Sequence, residues 1–135
     1  MTETVTPVRN RLNEAFWEGA ERGQLVLPHC HDSGRAFWPP SPISPFTGGA
    51  VDWRQCDPAG RVESLIVYRR AFQQSFAHLI PYGIALVALD AGLRLMVHVE
   101  NPDDAGAPCV GAAVTVGFRA ILPDSMPLPV ISNPI

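Results

Sequence analysis

The sequence predicts an all-β domain behind an N-terminal helix, with five short strands that suit either a small antiparallel barrel of the OB type or an open sandwich. Three observations carry this. Apolar residues recur every three or four positions over residues 8–22 and stop at Gly23. After Gly48 and Gly49 the pattern changes to short apolar runs bounded by glycine, proline and aspartate. Between these regions lie five of the 14 prolines, at 28, 39, 40, 42 and 45, which excludes helix there.

The elements follow in order. Val8, Leu12, Ala15, Phe16 and Ala20 form the apolar stripe of the helix, with Arg9, Asn13, Glu14, Glu18 and Glu21 between them. Gln24 to Leu27 is a short strand that runs into the proline-rich stretch. Residues 50–56 and 61–69 read as a hairpin around the Asp57-Pro58-Ala59-Gly60 turn. Residues 82–90 and 93–100 form a second hairpin at Ala91-Gly92, where glycine supplies the positive φ of a tight reversal. In its second strand Leu93, Leu95, Val97 and Val99 face the core, while Arg94, Met96, His98 and Glu100 face the wetter side. A last strand spans 113–121 and leads into a tail with four prolines between 123 and 134.

Composition narrows the function. A chain of 135 residues, 47% hydrophobic, holds one domain with a real core. Ten basic and 13 acidic residues give a net charge of −3, and no basic run exceeds Arg69-Arg70, so a nucleic-acid partner is not expected. The longest apolar run, residues 84–89, is far shorter than a membrane span, and the N-terminus has no signal-like apolar region. Three separated cysteines, Cys30, Cys56 and Cys109, fit reduced thiols in a cytoplasm.

Within PHCHDSGRAFWPPSPIS, residues 28–44, Cys30, Ser33, Ser41 and Ser44 stand at the spacing of two metal knuckles. Structural zinc of the knuckle type needs four soft or borderline ligands, and serine hydroxyls do not deprotonate to bind it, so no metal is expected on this set. His29, Cys30, His31 and Asp32 are neighbours whose side chains diverge. A triad of Ser33, His29 and Asp32 lacks separate supporting elements and a nucleophile elbow. Asp32-Ser33-Gly34 reads instead as a turn. The connection 68–82 combines Arg69, Arg70, Phe72, Phe76, His78 and Tyr82, which suits a nucleotide-bearing ligand or a protein partner, or a short helix closing the barrel. His98 reads as part of a surface network with Arg94 and Glu100.

The ordered motifs resemble a thiolase-associated family that joins a rubredoxin-like zinc ribbon to an OB fold, the acyl-CoA-associated OB-fold proteins. They are Phe16-Trp17-Glu18-Gly19, Gly23-Gln24-Leu25, Cys30-His31-Asp32-Ser33-Gly34, Pro39-Pro40-Ser41-Pro42-Ile43-Ser44, Pro81-Tyr82, Leu89-Asp90-Ala91-Gly92, and the run from Gly111 to Phe118. Three family cysteines are serines here. The resemblance implies a helix-bearing arm at 1–23, a degenerate zinc ribbon at 24–49, an OB barrel at 50–122 and a proline-rich tail at 123–135.

It also implies a function. Such a chain is a non-catalytic accessory subunit of a thiolase-like or aldolase-like enzyme, hetero-oligomeric, with a CoA thioester as substrate of the complex and no cofactor of its own. No catalytic residue is expected on it. Arg69, Arg70, Phe72, Phe76, His78 and Tyr82 are the candidates to face CoA or the partner. Phe16, Trp17, Phe37 and Trp38 are the candidates to dock. Two alternatives are an independent acyltransferase or thioesterase using Cys30 or a histidine, and a single-strand nucleic-acid module, which the acidic balance disfavours.

Overall fold

The computed structural model describes residues 9–70, 74–121 and 127–131. Helix α1 spans Glu14–Glu21, shorter than the apolar periodicity. The side-chain oxygen of Asn10 accepts the amides of Leu12 and Asn13 at 2.9 and 3.0 Å, and Asn13 returns the favour to the Asn10 amide. That local turn competes with helix and delays its start. At the other end Gly23, with φ 70°, closes a Schellman motif: Gln24 N–H donates to the Gly19 carbonyl and Gly23 N–H to that of Ala20.

β1 (Val26–Cys30) pairs antiparallel with β2 (Val51–Gln55), Pro28 opposite Trp53 and Cys30 opposite Val51. The run 50–56 therefore does not form the expected hairpin with 61–69. The Asp57 carboxylate accepts the Ala59 amide, the Pro58 carbonyl accepts the amide of Val116, and Leu25 O accepts the Cys56 amide. The chain thus leaves one sheet at Cys56 and has joined another by Pro58.

That second sheet is a closed five-stranded barrel of OB type, in the order β3 (Ala59–Tyr68), β4 (Tyr82–Leu89), β5 (Arg94–Glu100), β7 (Leu128–Ile131), β6 (Ala113–Arg119). Its fifth strand comes from the proline-rich tail, not from residues 50–56. β7 runs parallel to β5 and antiparallel to β6, with Pro129 opposite Phe118. Pro127 precedes this short strand and Pro129 lies within it, and four residues of pairing suffice to seal the barrel. A bulge between Val62 and Ser64 keeps both Val62 and Leu65 on the inside of β3.

Val62, Ala85, Val87, Leu95, Val97, Val99, Val114, Val116 and Ile131 fill the barrel. Full burial of each of its larger aliphatic side chains is worth about 1.5–3 kcal/mol. Phe16 joins the three parts of the molecule: its ring centroid lies 4.9 Å from Trp17, 4.8 Å from Trp38 and 5.8 Å from Phe118. Helix, proline-rich loop and barrel thus share one core. A 3-10 helix, Gln74–Leu79, fills the connection between β3 and β4.

Candidate functional site

The proline-rich loop leaves β1 and returns to β2, so its two ends are held side by side. Within it, the turn from Cys30 to Gly34 and the turn from Ser44 to Gly48 face each other. Cys30 and Ser44 are both buried. Ser44 Oγ accepts the amides of Phe46 and Thr47 at 3.1 and 3.3 Å, so both its acceptor sites are occupied by backbone. Thr47 Oγ1 lies 3.6 Å from Cys30 Sγ and donates to the Asp32 carboxylate at 2.9 Å. Hydrogen bonds from Ser33 and Ser44, against the opposing effect of burial, hold the Cys30 thiol down at about 6.

Ser41 does not share this arrangement. Its hydroxyl accepts the Ile43 amide at 3.4 Å, and the residue lines a shallow groove with Pro42, Val51 and Trp53. The fourth residue at the sulfur is Thr47, which spacing alone missed because threonine is no metal ligand. The signal was the glycine that follows it, as Gly34 follows Ser33.

The histidines of the loop point elsewhere. His29 Nδ1 lies 2.9 Å from the Leu27 carbonyl. His31 Nδ1 pairs with Asp52 at 2.7 Å, and Arg54 donates to the same carboxylate oxygen. Hydrogen bonding to Asp52 raises the His31 pKa, and His31 and Arg54 together lower that of Asp52.

Of the docking candidates, Phe16, Trp17 and Phe37 are buried and Trp38 is half-buried against the core. They hold the chain to itself, and a side chain already packed inside has little surface left for a partner. The exposed aromatic of the loop is Phe46, whose ring meets Phe37 edge-on at 6.2 Å and carries the Arg35 guanidinium 3.9 Å above it.

The described members of the second candidate group are engaged in different ways. Arg69 makes a two-pronged ion pair with Asp103, at 2.6 and 2.8 Å, so its guanidinium fork is engaged within the chain. Tyr82 is buried, stacked between Tyr68 (5.0 Å) and His98 (5.6 Å). His78 is exposed on the 3-10 helix, and Arg70 is exposed at the end of β3. Phe72 lies outside the described residues, and Phe76 is placed only by the backbone of the 3-10 helix.

His98 departs from its expected surface network. It is 5% exposed, its Nε2 has no hydrogen-bond partner, and burial lowers its pKa. Arg94 pairs with Glu63 and Glu100 with Arg119. Among the described residues no cluster of three or more His, Cys, Asp and Glu side chains is arranged to hold a metal.

Residues 53–119, from β2 through β6, match the family described as the ChsH2 C-terminal OB-fold domain. The fold also superimposes on a chain of a solved structure named Ltp2-ChsH2(DUF35) aldolase, with a TM-score of 0.78 and 30% identity, over 93% of this chain and 96% of that one. The chain belongs to the ChsH2 OB-fold family.

A further relative is a protein of Thermomonospora curvata named "Probable enoyl-CoA hydratase alpha subunit". It is 34% identical over 110 residues, which are 77% of this ChsH2-family chain and 34% of that protein. The chain therefore spans about a third of the length of this relative. No helix among the described residues is long and apolar enough to cross a membrane.

Proposed function

We propose that this ChsH2-family chain is a non-catalytic accessory subunit of a hetero-oligomeric enzyme that makes or breaks bonds on acyl-CoA substrates. The partner is a thiolase-superfamily subunit of thiolase, aldolase or acyltransferase type, and the complex works in the cytoplasm. The observation that carries this reading is the likeness along almost the whole of a chain in an aldolase whose name joins ChsH2 to Ltp2. The hydratase subunit, three times as long as the matched region, points the same way: there the module accompanies a larger body. Three free cysteines, two of them buried, suit a reducing compartment.

The polar groups fit a supporting role. Arg69, Arg94, His31 and Arg119 are each paired with a carboxylate of this chain, and the Cys30 thiol is shut away from substrate. The loop between β1 and β2 is a zinc ribbon in outline that has lost its ligands.

The partner's seat is the outer wall of the barrel. Cross-strand register puts Ile66 opposite Ile84, and Leu86 opposite Met96, on one face. Ile66 is 59% and Met96 64% exposed, and Met96 also lines a groove with Leu86, Arg94 and Pro129. Arg70, His78 and the 3-10 helix lie along the chain between β3 and β4 and would meet the CoA or the partner beside it.

The test is co-expression with a thiolase-like or aldolase-like protein encoded beside this chain. The two proteins should co-elute, and the acyl-CoA reaction should need both. A partner that is stable and fully active alone would end the proposal. So would turnover by this chain alone that is lost on Cys30→Ala or His78→Ala.

A further inference from the structure

The turns at Cys30 and Ser44 are built alike, bond for bond. In each, the first residue's carbonyl accepts the amide of a glycine four positions on, at 2.8 Å for Gly34 and 2.9 Å for Gly48. In each, the first residue's amide donates to the carbonyl five positions on, Cys30 to Arg35 at 2.8 Å and Ser44 to Gly49 at 2.9 Å. Both glycines sit in the left-handed region, with φ 72° and 73°. The equivalent residues are therefore Cys30 with Ser44, and Ser33 with Thr47. The matching places are the first and fourth of each turn, and those four side chains are the ones that meet at the Cys30 sulfur.

Such a pair of facing turns is the frame of a four-ligand metal site, and the donors present do not fit one. One thiol stands with three hydroxyls that keep their protons at neutral pH, and neither His29 nor His31 is turned toward the sulfur, being bonded to Leu27 and Asp52. The hydroxyls are instead bonded to backbone amides, to Asp32 and to the sulfur. Ser44 accepts two amides, which leaves its proton to donate toward the sulfur. Thr47 accepts the Gly49 amide at 3.2 Å and donates to Asp32, with its hydroxyl 3.6 Å from the Cys30 sulfur.

We infer that Cys30, Ser33, Ser44 and Thr47 are the four corners of a metal site converted into a thiol–hydroxyl hydrogen-bond cluster, which ties the two turns together without metal. Ser41 is not a corner. The inference rests on the degenerate-ribbon reading for its origin but not on the accessory role, and its readouts need no partner, so either can fail without the other.

The experiment uses the purified full chain. Wild-type protein equilibrated with zinc and then desalted should carry far less than one zinc per chain, and chelator should leave its Tm unchanged. The triple variant S33C/S44C/T47C should take up one zinc per chain, or one cobalt with the visible bands of a tetrahedral thiolate site, while S33C/S41C/S44C should not. Stoichiometric zinc on the wild type, a Tm lowered by chelator, or equal metal uptake by the two triple variants overturns the inference. A reading that does not depend on the thiols being tolerated comes from removing hydroxyls. Ser44→Ala and Thr47→Val should each lower Tm by about 3 °C or more, and Ser41→Ala by less than about 1 °C. A loss on Ser41→Ala equal to the other two overturns the assignment of corners.

Discussion

Tyr82 stacks on His98 with ring centroids 5.6 Å apart and planes within 19°, and the imidazole is buried there with Nε2 unbonded. Burial there disfavours the charged imidazole. Desolvation lowers its pKa from 6.5, Glu100 pulls it back up and Arg119 pushes it further down. As pH falls below 6.5 the unfolded chain takes up this proton first, so stability declines until the folded pKa is passed. His98→Phe keeps the stack and removes the orphan nitrogen. It should flatten the acid limb of a Tm-against-pH curve and leave stability at pH 8 unchanged or higher by up to about 1 kcal/mol. An acid limb equally steep in the variant would show that other groups cause it.

His31 and Asp52 give the opposite pH dependence. The raised His31 pKa contributes stability that is complete below 6.5 and lost as pH rises through the folded value. The lowered Asp52 pKa contributes stability that is present above 3.8 and lost as pH falls. The pair is therefore strongest between about pH 4 and 6.5. Asp52→Asn should cost most in that window and less at pH 8, where only the Arg54 bond is lost. Proton NMR titration of His31 checks the cause: its pKa should drop toward 6.5 in the variant.

Gly19 is a close-approach glycine. A β-carbon there would lie 2.6 Å from Val26 Cγ2 and 2.9 Å from the Gln24 carbonyl oxygen. Alanine would favour the helix by about 1 kcal/mol over glycine. The overlap with a backbone oxygen outweighs that gain, since overpacking costs about 1–3 kcal/mol. Gly19→Ala should therefore lower stability in urea titrations. Adding Val26→Ala should cost less in the Gly19→Ala background than alone, because it removes the closest clash.

The barrel face offers a test of docking that spares the fold. Ile66→Glu and Met96→Glu change exposed side chains, so Tm should move little. Affinity for the partner subunit should fall at least tenfold, about 1.4 kcal/mol, by calorimetry or surface binding. Unchanged affinity in both variants would place the interface on another face.

Periodicity made the helix, the β4–β5 hairpin and the β6 strand legible, because a half-buried element must alternate its side chains with the period of its backbone. Pairing was less legible. Residues 50–56 look like the partner of the next strand, yet Pro58 and Asp57 turn the chain into a different sheet, a long-range outcome that no local window contains. β7 was hidden by Pro127 and Pro129, whose missing amides count against a strand until the neighbours are known. At the sulfur cluster the two serines were readable from spacing, and Thr47 only from the repeat of its turn. His98 was misread for the same reason as β7: strand alternation says which face a residue takes, but not what covers that face.

The order in which the barrel closes bears on its biosynthesis. β5 and β6 are both made before the strand that lies between them, so while the chain is being translated each presents an open row of amides and carbonyls. Until residues 128–131 emerge, these two edges are the part of the nascent chain most able to pair with another molecule. A partner that binds early on the neighbouring wall would act, in effect, as a guardian of an unfinished sheet.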